Sequence, residues 1–195
     1  FIELTTNGYF VKKRIEALKK LDHLAISLDG NKESNDKARG EGSFEKIIDG
    51  IQCAVDNGIK VRVHATLCKK TMQGESFDFL VNYCKDMGVG LNYSENGLPG
   101  IEKLDPDYLL SEEEALSFYQ GYEERKAKGY AIVGSETAVD YVAKWPIPKK
   151  TTIYKKDLPD VPKDSFYPCQ LGRNQCFISA DGNVYPCTKK WGEGK

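Results

Sequence analysis

Two groups of residues in this chain have types and spacing that could do chemistry. The first is Ser27 and Asp29 in the stretch "ISLDG", Ile26 to Gly30. A buried parallel strand stays apolar along its length, so one that begins apolar and ends in a hydroxyl, a carboxylate and a glycine stands out. The C-terminal ends of parallel strands are where barrels and open α/β sheets bind ligands. A serine hydroxyl and a carboxylate accept hydrogen bonds and suit sugar hydroxyls or an amino group. Taken alone, the stretch also reads as a strand end plus a turn. The second group is Cys169, Cys176 and Cys187, separated by six and ten residues. Zinc takes four ligands, typically with close C-x2-C pairs, and these spacings do not supply one. Iron–sulfur clusters accept wider spacing when the thiolates come from different loops. Cys176, next to Phe177, reads either as a ligand or as a packing residue.

The elements that position these groups follow from periodicity. "FIELTT" and "LAISL" are strands, with a helix carrying Val11, Ile15 and Leu18 between them. Ser43 is expected to cap a helix ending near Asn57, with Gly58 as its stop. "KVRVHATL" is the third strand. Ser76 is expected to cap a helix ending near Met87, and "VGLNY" is the fourth strand. This β-α-β order implies a parallel sheet with right-handed crossovers. After "NGLPG" the rhythm stops. A helix opens at Ser111, and a shorter one is expected from about Ser135 to Lys144. A proline-rich linker follows, and "CFISADGNVYPC" then carries the alternation and the Asp-Gly of a hairpin.

Each of the four strands has one polar face. Glu3, Thr5 and Asn7 alternate with Ile2 and Leu4. Ser27 and Asp29 alternate with Leu24, Ile26 and Leu28. Arg62, His64 and Thr66 alternate with Val61, Val63 and Ala65. Gly90, Asn92 and Ser94 alternate with Val89, Leu91 and Tyr93. A sheet covered by helices on both faces would not alternate in this way. A barrel wall does, when helices cover the outside and the inside is polar. His64 is then a core or cavity histidine. Arg62 either binds a ligand or pairs with Glu3 across the wall.

Composition excludes several classes. The chain is 40% apolar and 29% charged, with a net charge of -1. It carries no basic footprint for nucleic acid and no basic membrane face. No signal peptide and no run long enough to cross a bilayer is visible, and a cytoplasmic location is expected. Cys53 and Cys84 sit on apolar helical stripes and read as small core residues; Cys68, at a strand end, stays ambiguous. The chain opens on Phe1 and ends in "WGEGK", and both ends read as cut from a longer protein.

Several stretches together resemble a known family. "TTNGYF" (Thr5 to Phe10), "LAISLDG" and "NDKARGEGSFEKIIDGI" (Asn35 to Ile51) resemble the middle of a radical S-adenosylmethionine enzyme. "CQLGRNQCFISADGNVYPC" resembles the start of a SPASM- or twitch-type auxiliary domain: Cys169, twelve residues, Gly182, four residues, Cys187. The resemblance implies a partial (β/α) barrel, S-adenosylmethionine and 4Fe–4S clusters as cofactors, and hydrogen abstraction by a 5′-deoxyadenosyl radical. It assigns Ser27 to the cofactor's ribose or amino-acid part, and Arg39 to its carboxylate, which a guanidinium fork matches; the other reading of Arg39 is a loop arginine that pairs with Asp29 or Asp36. Asp29, Thr6 and Asn7 join the cofactor set, and Cys169, Cys187 and Cys176 the metal set. The family's C-x3-C-x2-C motif and its "GGEP"-like stretch do not occur in these residues, so the chain as given is expected to be inactive and to bind neither cofactor.

The expected architecture is α/β: a partial barrel over 1–98, a helical segment over 99–145, and a linker with a cysteine-bearing β-hairpin over 146–195. The resemblance implies an oxidoreductase that modifies a peptide or protein. A non-catalytic peptide- or partner-binding module with a cysteine metal site is the alternative. No nucleic-acid or membrane partner is expected. An unpaired edge at the first strand is expected to invite self-association.

Overall fold

The computed structural model describes residues 1–72, 74–95, 110–133 and 176–186. Four parallel strands, β1 (Glu3–Thr6), β2 (His23–Ser27), β3 (Val61–Leu67) and β4 (Gly90–Glu95), lie side by side in chain order. Helices α1 (Val11–Leu18), α2 (Lys32–Arg39), α3 (Ser43–Asp56), α4 (Lys69–Met72) and α5 (Gly74–Asp86) fill the crossovers. The fold class is as the alternation implies: an α/β half-barrel of parallel strands.

The two-residue period becomes a division between faces. Leu24, Ile26, Val61, Val63, Ala65, Leu67 and Leu91 join Val11, Leu18, Ile47, Ile51, Ala54, Leu80 and Val81 of the helices in one apolar core. Burial of these side chains drives the assembly, at about 1.5–3 kcal/mol each. The alternate residues of β3, Arg62, His64 and Thr66, are half-buried on the other face. The outer side of β1 has no strand partner among the described residues, and Ile2 and Leu4 are exposed there.

Three local expectations need correction. The α3 helix begins at Ser43 itself, after Gly42, with no side-chain cap. Ser43 is buried and its hydroxyl donates to Asp36. Ser76 lies inside α5 rather than ahead of it, and its hydroxyl donates to Ser34 at 2.7 Å. In both cases a tertiary hydrogen bond claims the serine. Helix α2 also stands where sequence reading saw only a motif. It has no apolar stripe, and forms from the Asn31 cap, which accepts the Ser34 N–H at 3.0 Å, and the Lys32–Asp36 pair at 2.9 Å.

A larger correction concerns the fourth crossover. Ser111 caps α6 (Glu112–Ala127) with a reciprocal capping box to Glu114. After α6 the chain returns to the sheet. The Leu91 N–H donates to the Ala131 carbonyl and the Val133 N–H to the Leu91 carbonyl, each at 2.7 Å, in a parallel bridge of Leu91 with Ile132. Phe118 and Ile132 are buried in the same core as the strands. The βα rhythm therefore continues for another step. Accordingly, Leu104–Trp145 groups with Phe1–Asn96 in one compact unit, and Gly97–Lys103 with Pro146–Lys195 in another.

In the second unit, β5 (Phe177–Ile178) and β6 (Val184–Tyr185) form the antiparallel hairpin the Asp-Gly signal implies. Gly182 takes φ 84 in the turn, a conformation open to glycine. The Ser179 N–H donates to the Asn183 carbonyl at 2.9 Å. Cys169, Cys187 and the helix expected from Ser135 to Lys144 lie outside the described residues.

Candidate functional site

Register sets the polar face. Residues paired in a parallel ladder project to the same side. Ser27 pairs with His64, and His64 with Asn92. This row crosses three strands, at the C-terminal end of β2 and the middle of β3 and β4. Thr66 pairs with Ser94 one step further on. Below, Ala25 pairs with Arg62 and Thr5 with Ala25. The face thus shows a hydroxyl, an imidazole and a carboxamide side by side.

Ser27 is half-buried, and no described residue hydrogen-bonds its hydroxyl. The His64 Nε2 lies 2.7 Å from the Ser94 hydroxyl. Burial, and then the nearby Arg62 charge, hold the His64 pKa below its ordinary value, which keeps the ring neutral. Arg62 is occupied: its Nη2 donates to Glu3 Oε1 at 2.5 Å. Of the two readings of Arg62, the ion pair with Glu3 is the one observed. The Arg62 Nε and the His64 Nδ1 are buried without a partner.

Asp29 is buried, and its carboxylate is committed within the protein. Oδ1 accepts the Thr66 N–H at 2.7 Å, and Oδ2 accepts Arg39 Nε at 2.8 Å. It does not reach out as a free ligand group. Arg39 ends α2 with its side chain 25% exposed, and no described residue takes its terminal nitrogens. Behind it stands a buried relay. The Asn35 Oδ1 accepts the Asp29 N–H at 3.1 Å, and the Asn35 Nδ2 donates to the Ser43 hydroxyl at 2.8 Å. Asp36 accepts the Phe44 N–H at 2.8 Å, and its hydrogen bonds hold its pKa well below the usual carboxylate range.

Of the sequence-derived set, the polar mouth brings together Ser27, Asp29 and Arg39. Thr6 pairs with Ile26 and so shares the helix-side face; its hydroxyl accepts the Gly8 N–H at 3.2 Å. Asn7 is exposed, and its Oδ1 accepts the Tyr9 N–H at 3.2 Å. Thr5 stands on the polar face instead. Asn92 and Ser94 were visible in the alternation but not singled out. Asn35 carried no sequence signal that separates it from a loop asparagine.

The described cysteines do not form a metal site. Cys68 and Cys84 are buried, Cys53 is half-buried in α3, and Cys176 is exposed on the hairpin. Burial pushes the Cys84 thiol up to about 12, which makes it inert. No group of three or more metal-ligating side chains is present among the described residues. These residues therefore do not fit an iron–sulfur cluster. The Ser27 hydroxyl and the terminal nitrogens of Arg39, which no described residue hydrogen-bonds, leave a hydroxyl and guanidinium N–H donors at this mouth.

Strand order and one polar face define a half-barrel of the parallel α/β kind. Residues 1–84 match the model of the radical SAM superfamily. The GTP 3′,8-cyclase of Campylobacter fetus subsp. fetus is 25% identical over 198 aligned residues, covering 95% of this chain and 54% of that protein. The GTP 3′,8-cyclase of Limosilactobacillus fermentum is 36% identical over 99 residues, 48% of this chain and 29% of that one. The chain spans about half the length, or less, of the curated relatives it matches. Streptococcus suis SuiB bound to S-adenosylmethionine shares the fold with a TM-score of 0.65 at 16% identity, over 99% of this chain and 44% of that chain. Native anSMEcpe with bound AdoMet does so with a TM-score of 0.53 at 17% identity, over 67% and 39%. Among the described residues no helix is long and apolar enough to cross a membrane.

Proposed function

We propose that this chain is the part of a radical S-adenosylmethionine oxidoreductase that holds the cofactor with Ser27 and Arg39 and lines the substrate space with His64, Asn92 and Ser94. The observation that carries it is that the Ser27 hydroxyl and the terminal nitrogens of Arg39 take no hydrogen bond from a described residue at the mouth of a half-barrel whose residues 1–84 match the radical SAM superfamily. Bound adenosylmethionine supplies a 5′-deoxyadenosyl radical once its sulfonium is reduced. The residues of this chain bind and orient; a guanidinium takes the carboxylate in a fork, and a serine takes a ribose hydroxyl or the amino group.

The substrate is a small polar molecule in this reading. The curated relatives that span 95% of this chain are named for a reaction of GTP, which turns the balance away from the peptide or protein substrate that the SPASM resemblance implies. A row of imidazole, carboxamide and hydroxyl, all uncharged, reads hydrogen-bonding edges rather than net charge. The peptide reading keeps one specific support, the Asp-Gly hairpin of residues 177–185, whose Gly182 lies between Cys169 and Cys187 at the spacing of the SPASM pattern.

The test uses the whole protein, purified without oxygen, loaded with iron and sulfide, and reduced with dithionite. Adenosylmethionine is expected to yield 5′-deoxyadenosine, and GTP to be consumed with it while a serine- or cysteine-bearing peptide is not. No 5′-deoxyadenosine from the loaded protein would overturn the enzyme reading. Consumption of the peptide alone would restore the peptide one.

A further inference from the structure

Asp29 is placed where a ligand group would be expected, yet both of its oxygens face protein donors. The β2–β3 ladder continues past Ser27, with the Leu28 N–H donating to the His64 carbonyl at 3.1 Å. At the next step a side chain takes over, and the Thr66 N–H donates to Asp29 Oδ1. One carboxylate therefore ties the end of β3 to the last turn of α2, where Arg39 sits. The Asp29 main chain is fixed as well, through its N–H to the fully buried Asn35. The Asp29 side chain is 10% exposed and that of Arg39 25%. A charge-assisted hydrogen bond at such burial is short and directional. It uses the Arg39 Nε, and no described residue hydrogen-bonds the two terminal nitrogens.

We propose that Asp29 is a positioning residue for the cofactor, acting through Arg39. It fixes the guanidinium plane so that the terminal nitrogens meet the carboxylate of adenosylmethionine, and it does not itself touch the cofactor. The inference rests on the cofactor site proposed above. A fork held in advance loses less side-chain freedom on binding, which is where its affinity comes from. An asparagine at 29 could serve only one of the two donors with its oxygen. Its amide group would meet the other donor head-on.

The experiment is equilibrium binding to the whole, cluster-loaded protein of two probes, adenosylmethionine and decarboxylated adenosylmethionine. The variants are Arg39→Ala, Asp29→Asn, Asp29→Ala and the double variant Asp29→Ala with Arg39→Ala, each checked by circular dichroism and thermal melting. Asp29→Asn, which keeps the volume of the side chain, carries the test if Asp29→Ala does not fold. Asp29→Asn is expected to weaken adenosylmethionine about tenfold, the scale of one hydrogen bond to a charged group. The Asp29 effect should vanish in the Arg39→Ala background, because residues acting as one unit are not additive. Binding of the decarboxylated probe should not change with either residue. Unchanged adenosylmethionine affinity in Asp29→Asn, or losses that add in the double variant, would overturn the inference while leaving the site in place. An Arg39→Ala protein that binds adenosylmethionine as well as the wild type would overturn the proposed site itself.

Discussion

Ser27 and His64 are ladder partners on the polar face of the sheet, one from β2 and one from β3. The proposed cofactor contact and the first residue of the substrate wall are therefore neighbours on adjacent strands. Strands lie about 4.8 Å apart, so a molecule held at Ser27 lies within reach of His64. The histidine is fixed by its 2.7 Å contact with Ser94 and kept neutral by burial.

That neutrality has a pH signature. His64 has a pKa below its ordinary value of 6.5 in the folded protein. The unfolded chain therefore binds the proton more readily, and stability falls as pH drops below 6.5 toward the folded value. The contribution is fully present above the unfolded pKa. His64→Gln should flatten this part of the profile, with wild type and variant diverging in urea unfolding between pH 7.5 and the acid side. Parallel profiles would show that the ring titrates as freely folded as unfolded.

Gly50 tests the approach of α3 to the β1–α1 turn. A Cβ at position 50 would lie 2.5 Å from the Gly8 carbonyl oxygen, which is main chain and cannot swing aside. Gly→Ala inside a helix ordinarily gains about 0.5–1 kcal/mol. Here Gly50→Ala should instead lose about 1–3 kcal/mol through overpacking. Chemical denaturation decides the sign, and a stabilised variant would contradict the packing.

Helix α6 gives a paired comparison. Phe118 is 2% exposed and meets Phe77, Tyr93 and Tyr119, whereas Leu116 on the same helix is 39% exposed. Phe118→Ala should cost about 3–5 kcal/mol, and Leu116→Ala about 0.5 kcal/mol or less. Similar losses at both positions would remove α6 from the core, and with it the added βα step.

The alternation in the strands carried most of the fold, because a sheet with one core face writes a period of two into its sequence. It also identified the polar row through Ser27 and His64. The Asp-Gly pair marked the hairpin because its turn needs Gly182 at positive φ. Tertiary contacts hid the rest. Ser43 and Ser76 have the type of a cap but are bonded to Asp36 and Ser34. Helix α2 lacks an apolar stripe because polar groups hold it. The return of 131–133 to β4 is too short to show a period. Thr6 shows the limit of motif matching: its own parity with Leu4 already placed it on the helix side.

The central claim is that the polar mouth holds adenosylmethionine, and its face geometry makes a direct test. The measurement is the dissociation constant of adenosylmethionine for the whole, cluster-loaded protein, as wild type, Ser27→Ala and Thr6→Val. Ser27 on the polar face should matter, its loss costing about 1–3 kcal/mol as for a hydrogen bond to a charged group. Thr6, on the helix side, should leave the constant unchanged once folding is confirmed. An affinity that survives in Ser27→Ala and falls in Thr6→Val would place the cofactor elsewhere and contradict the account.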